Sequence, residues 1–336
     1  MSAPNEALLA ISHVTEYRYS ARVELGQHVA HLTPRQDEHQ SIEQCELRIE
    51  PSPSDLRSGT DTFGNVRSMF SIFSAHESLK VTAASRVRIR DRHWSLDPAD
   101  SQPWESVRET LQYRAGRPYS SASEFVFASP YVPRDPALAR YAMASFRAGR
   151  RLTDAAADLM HRVHSDFRYA PASTDVSTPV LEAFRQRTGV CQDFSHVMIG
   201  CLRSIGLAAR YVSGYLVATS EGKRSDDATP AASAEHPRDE TSGNSKVRRP
   251  IGADASHAWV SVFCPKQGWV DLDPTNDLLP RRHVVVAIGR DYGDVAPLRG
   301  VIRGGAEHEL SVAVRVAPCN NGAQPKGDGA AGTPGG

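Results

Sequence analysis

No CxxC pair occurs among the five cysteines, Cys45, Cys191, Cys201, Cys264 and Cys319. An odd number scattered over 336 residues is a poor basis for a disulfide framework or a cysteine-rich zinc ribbon. The chain also lacks an excess of either charge. Its 39 Lys and Arg balance 39 Asp and Glu, which argues against a dedicated nucleic-acid binder. It lacks any apolar run of about 18 residues, the length that reads as a membrane-spanning helix. The first residues, MSAPNEALLAISHVTEY, carry neither the basic segment nor the apolar stretch of a secretory signal. HExxH, GxxxxGK[ST] and DxDxDG motifs are missing too, so zinc-hydrolase, phosphate-cradling and calcium-loop chemistries have no anchor. These absences leave the expectation of a cytoplasmic protein with free thiols, no cofactor, no metal, and neither nucleic acid nor membrane as a partner. Apolar residues at 40% and charged residues at 23% are proportions of a folded globular chain.

What is present first is alternation. Leu9, Ile11, His13, Thr15, Tyr17 and Tyr19 share one face of an extended segment. Cys45, Leu47 and Ile49 alternate with charged neighbours, and a longer alternation runs from Leu79 to Ile89. Turn clusters at 51–55 and 61–65 separate these runs, so residues 1–95 read as an antiparallel β domain. Residues 96–150 read as a helical or irregular connection. From Thr153 a helical stripe appears in Ala156, Leu159, Met160, Val163 and Phe167. Thr178 and Pro179 read as N-cap and first-turn proline of a short helix, with Gly189 as its stop. The strongest stripe follows in Phe194, Val197, Met198, Cys201, Leu202 and Ile205, closed by Gly206. Strands are expected at ARYVSGYLVA, 257–263, 269–273, 284–288 and 310–316. Between residues 221 and 249, six acidic and six basic residues stand with almost no large apolar ones, so an insert at 219–252 is expected to be disordered. The fold class is therefore α+β. The β domain precedes a core at 151–318, and a disordered tail occupies 319–336.

Chemistry concentrates around Cys191, which opens the strongest helix. Unsatisfied N–H groups and the positive end of the helix dipole favour thiolate there. Cys201, mid-helix on the same stripe, reads as a small core hydrophobe. A thiol nucleophile needs a base and the base an orienting group; His257 and Asp273, on successive strands, are the candidates. The pairing depends on register. A five-residue loop, 264–268, sets Phe263 opposite Trp269 and Asp273 opposite Trp259, diagonal to His257. A four-residue loop would turn Asp273 to the other face. The backbone N–H of Cys191 is the expected oxyanion donor, with Gln192 and Tyr215 left open as side-chain donors. Asp193 complements the helix dipole, His196 reads as a surface or near-site histidine, and Trp259 and Trp269 as packing residues. His161 and His164 have an HxxH spacing but no third ligand to make a zinc site.

In order along the chain, GVCQDFSH, ARYVSGYL, SHAWVSV and GWVDLDPTN resemble the core of the transglutaminase-like superfamily. VTEYRYSARVELGQHVAHLTPR, the DTFGN turn and SLKVTAASRVRI resemble the β domain that precedes that core in bacterial members, and GRDYGDVAPLRGV resembles their C-terminal segment. The resemblance implies a papain-like α+β core in which Cys191 is the nucleophile, His257 the general base and acid, and Asp273, selected over Asp271 by the DPT match, the orienting carboxylate. It also implies acyl transfer from a peptide or protein substrate through a thioester, as a peptidase, deamidase or transamidase. The alternative is a non-catalytic peptide- or protein-binding module on the same fold. The insert departs from the family and enters just before the His257 strand, at the expected rim of the site.

Overall fold

Val, Ile, Leu and Tyr at every second position favour a pleated, half-buried strand. The N-terminal third of the chain realises that pattern in the computed structural model, which describes residues 6–92, 98–116, 118–171, 173–174, 176–217, 251 and 255–319. The expected insert at 219–252, residue 251 apart, and the expected tail beyond residue 319 lie outside the described residues. β1 (Glu6–Ala30) buries Leu9, Ile11, His13 and Thr15 on one face, as the alternation predicts. β2 (Gln40–Glu50), β3 (Asp55–Thr60), β4 (Val66–Ile72) and β5 (His76–Arg90) join it in the order β2-β5-β1-β4-β3. Leu79, Val81, Ala83, Ser85, Val87 and Ile89 of β5 all point inward.

The helical part begins with α1 (Trp104–Leu111), α2 (Pro136–Met143) and α3 (Leu152–Asp166). After β6 (Arg168–Tyr169) come α4 (Val180–Gln186), β7 (Thr188–Gly189) and α5 (Cys191–Ser204). α5 packs at the centre of the largest core, where Phe194, Val197, Met198, Cys201 and Leu202 are buried against the other helices and the sheet. That sheet comprises β8 (Ala209–Tyr215), β9 (His257–Cys264), β10 (Gly268–Leu272) and β11 (Val284–Gly289), in the order β10-β9-β8-β11. α6 (Tyr292–Val295) leads to β12 (Leu298–Gly304) and β13 (His308–Pro318). Both of these strands pair with β1, at Val23–Ala30 and Leu9–Tyr19 respectively. Residues 298–318, assigned to the core by sequence, thus complete the seven-stranded first sheet. Alternation marks a strand but carries no information about which distant sheet accepts it.

Two side-chain amides weld the sheets together. β11 is an edge strand with backbone groups facing outward. Gln40 donates to Val285 O at 2.7 Å and accepts from Val285 N at 2.9 Å. Asn65 repeats this with Ile288, at 2.7 and 2.9 Å. Asn65 sits at the end of the DTFGN turn, where Asp61 Oδ1 accepts from the N–H groups of Phe63 and Asn65.

Two local expectations are corrected. α4 has Pro179 rather than Thr178 at its N-cap, and it ends at Arg187, which takes the left-handed conformation at φ 54°. The Arg187 guanidinium lies over the rings of Tyr141, Phe167 and Phe184, contacts that compensate the unusual backbone and that local sequence cannot reveal. Gly189 instead lies in β7, and its missing Cβ has a different use, described below.

Candidate active site

Cys191 is the first residue of α5, and the chain is set there by a short network. Tyr169 and Gly189 pair in parallel, and the Asp193 carboxylate accepts from Val190 N at 2.8 Å and from Thr174 Oγ1 at 2.7 Å. Asp193 therefore reaches back over the helix start as one half of a capping box. A Cβ at Gly189 would collide with this carboxylate. The thiol of Cys191 is half-buried, whereas Cys201 is fully buried and burial pushes its pKa up. The two cysteines of the helix thus differ in access.

The β9–β10 hairpin has Phe263 opposite Trp269 and Val260 opposite Leu272, the register on which the pairing depends. The turn itself is shorter than five residues, because Gly268 still pairs with Cys264; its φ of 75° makes it the left-handed residue that closes a three-residue hairpin loop. Continuing the register sets Asp273 beside His257 on one face. His257 Nε2 donates to Asp273 Oδ2 at 2.8 Å, and both side chains are completely buried. The other ring nitrogen, Nδ1, is also buried and has no hydrogen-bond partner. Burial opposes a charge on the imidazole, but attraction and hydrogen bonding to Asp273, with a further contribution from Cys191, raise the His257 pKa above 6.5. Burial likewise opposes the Asp273 carboxylate, and His257 overcomes it, so that pKa is lowered.

Asp273 is held by more than His257. Its Oδ1 accepts from the N–H groups of Thr275 and Asn276 at 3.0 and 3.2 Å, and Asn276 Nδ2 donates to Oδ2 at 3.0 Å. His283 Nε2 lies 3.5 Å from the same oxygen. Burial lowers the His283 pKa against the pull of Asp273. Asn276 stands within the DPTN motif and so carried a sequence signal. His283 is a lone histidine before β11 and carried none. Among the described residues, His257, Asp273 and His283 also form a group with ligand-type atoms within 4.8 Å of one another.

Other candidates fall into place around this centre. His161 Nδ1 pairs with Asp277 at 2.7 Å and His164 Nδ1 with Thr275 O at 3.0 Å. The HxxH pair of α3 thus braces the turn that follows Asp273. His196 is 2% exposed, which overturns its reading as a surface histidine. Its Nε2 accepts from Tyr292 N at 3.1 Å, and burial lowers its pKa to about 3. Gln192 Nε2 donates to Val176 O at 3.3 Å. Tyr215 does not join this network: its hydroxyl pairs with His13 Nδ1 at 2.9 Å, within the cluster that joins the two sheets. Trp259 is fully buried and packs edge-on against His283 at 5.1 Å. Tyr169, Tyr211 and Tyr292 belong to or pack against the same core cluster as Cys191, and burial raises the pKa of each, with a smaller contribution from Cys191; position alone did not mark them.

Comparison with known proteins agrees with this architecture. Residues 9–88 match the bacterial transglutaminase-like N-terminal region, and residues 139–274 match the transglutaminase-like superfamily. An uncharacterized protein of Mycobacterium tuberculosis is 39% identical over 92% of each chain. A protein-glutamine gamma-glutamyltransferase of Pseudomonas aeruginosa is 30% identical over 35% of this chain and 15% of its own. The crystal structure of a proposed cysteine protease from Cytophaga hutchinsonii shares the fold, with a TM-score of 0.69 over 96% of this chain and 93% of that one at 17% identity. The chain, with its β domain and helix-on-sheet core, belongs to the transglutaminase-like superfamily, whose members are typically cysteine-dependent.

Proposed function

We propose that the protein is a cysteine-dependent acyl-transfer enzyme acting on an amide or peptide carbonyl. One observation carries the reading. In the buried His257–Asp273 pair Nε2 is engaged by the carboxylate and Nδ1 has no partner, while Cys191 adds to the interactions that raise the His257 pKa. In this reading the Cys191 thiolate attacks the carbonyl carbon, and the carbonyl electron pair moves to oxygen. The N–H of Cys191, at the first turn where helices leave donors unused, supports that oxyanion. As the tetrahedral species collapses, the C–N bond breaks and the His257 imidazolium gives its proton to the departing amine. A thioester remains on Sγ. Water attacking it completes hydrolysis or deamidation, and an amine completes a crosslink; either loses its proton to His257. Asp273, held by Asn276 and two backbone N–H groups, keeps the imidazole oriented and stabilises its charge.

The substrate is expected to be a peptide or protein. Incubating the protein with a peptide library, with and without a primary amine, separates the outcomes by mass spectrometry as cleavage, deamidation or amine adduct. All three should vanish in Cys191→Ala. Activity that survives this substitution would sink the reading and leave a binding module.

A further inference from the structure

A cavity of about 360 Å³ opens between the β domain and the core. Its first wall belongs to the β domain. The Tyr17 and Tyr19 rings of β1 stack 6.2 Å apart and 5° from parallel, and His308 of β13 lies 5.4 Å from Tyr17. The facing wall belongs to the core: Tyr131 and Tyr292 meet edge to face at 6.3 Å. Among the lining residues Arg299 alone is a Lys, Arg, Asp or Glu. Two features join this space to Cys191. Val176, exposed at the rim, holds its carbonyl against Gln192, the residue after the nucleophile. Tyr292 and Cys191 pack against the same buried cluster of the core.

We propose that this aromatic cavity is the substrate side-chain subsite, accepting a bulky aromatic or aliphatic side chain of a peptide whose scissile carbonyl lies at Cys191. The inference rests on the acyl-transfer reading and adds to it a specificity role for the β domain. Ring faces and apolar walls favour stacking on a planar or aliphatic group. A pocket of this size suits one large side chain, and Arg299, with no acid beside it in the lining, disfavours a cationic one. Its core wall, with Tyr131, Val176 and Tyr292, distinguishes this cavity from the 440 Å³ one, which shares His28, Arg299 and Gly300 but is otherwise lined by β-domain residues such as Asp55, Met69 and Val301.

Alkylation of Cys191 by iodoacetamide, N-benzyl iodoacetamide and N-(4-aminobutyl) iodoacetamide tests this without a known substrate. Adducts are mapped by mass spectrometry and rates are compared on the intact protein. The N-benzyl reagent is expected to react at least tenfold faster than iodoacetamide, and the aminobutyl reagent no faster than it. Tyr19→Ala and Tyr17→Ala should bring the benzyl preference towards one, and Tyr17→Phe, which keeps the ring, should retain it. Because Tyr17→Ala could weaken the sheet, each variant's circular dichroism is compared with the parent's, and Tyr19→Ala stands as the independent test. Fast iodoacetamide labelling with no benzyl preference, or a preference that survives both alanine variants, overturns the subsite alone. Labelling at Cys191 no faster than at Cys201 overturns the nucleophile and the subsite with it.

Discussion

At the scale of single residues, the site is governed by the coupling of two buried groups. His257 has its pKa raised and Asp273 has its pKa lowered, each by the other against the cost of burial. A raised imidazole value means the charged form persists as pH rises past 6.5, so proton donation by His257 should extend well above that pH. The stabilisation from this pair is complete between the two ordinary values, 3.8 and 6.5. It is lost upward as pH climbs through the raised His257 value and downward as pH falls through the lowered Asp273 value. Asp273→Asn removes the carboxylate and leaves burial to act alone on the imidazole. The expected result is a fall in turnover on the order of 10³–10⁴-fold, with the alkaline limb of the pH–rate profile moving to lower pH. An unchanged profile would mean that Asp273 does not set the charge on His257.

At the scale of elements, register and edge protection decide whether those residues meet. The β9–β10 hairpin brings Asp273 to His257 only if Phe263 faces Trp269, and Gly268 closes the turn at positive φ. Gly268→Val forces a β-branched residue into that conformation. It should cost about 1–3 kcal/mol in urea unfolding and lower catalysis more than Cys191→Ala-independent measures such as overall helicity would indicate. At the edge of the same sheet, Asn65 uses all four of its amide hydrogen-bonding positions, on Asp61, Arg35 and both backbone groups of Ile288. Asn65→Ala strands the buried N–H and C=O of Ile288, a loss of about 1–3 kcal/mol, and it should raise amide hydrogen exchange at Ile288 specifically. The hairpin register could be framed from sequence, because strand alternation permits only one answer that joins His257 to Asp273. The Asn65 contact could not, because residues 223 apart carry no local trace of their pairing.

At the scale of the whole molecule, buried neutral histidines set the response to acid. His13, which ties β1 to Tyr215, has its pKa lowered by burial to about 4, and His196, which ties α5 to Tyr292, to about 3. In the unfolded chain both titrate near 6.5. Between 6.5 and 4 the unfolded state therefore binds more protons, and stability falls as pH falls. Each group contributes a slope of up to about 1.4 kcal/mol per pH unit. Urea unfolding at pH 7 and pH 5 should show a marked loss at the lower pH. The His257–Asp273 pair is fully stabilising between 3.8 and 6.5 and offsets this loss only over the short step from pH 7 to 6.5, by less than one of these histidines contributes. Equal stability at the two pH values would show that these histidines are not held neutral.

Sequence by itself determined many of the elements and marked the candidate residues. Period-two runs gave the strands of the β domain, the stripe from Phe194 to Ile205 gave α5, and ordered motifs marked Cys191, His257 and Asp273. Such features are local, so the chain carries them in its own periodicity. Tertiary structure alone decided that residues 298–318 close the first sheet, that His283 and the α3 histidines brace the Asp273 turn, and that two tyrosines of β1 line a cavity beside the core. These are pairings between distant segments, selected by backbone hydrogen bonds and burial in the assembled fold, and no short window of sequence contains both partners.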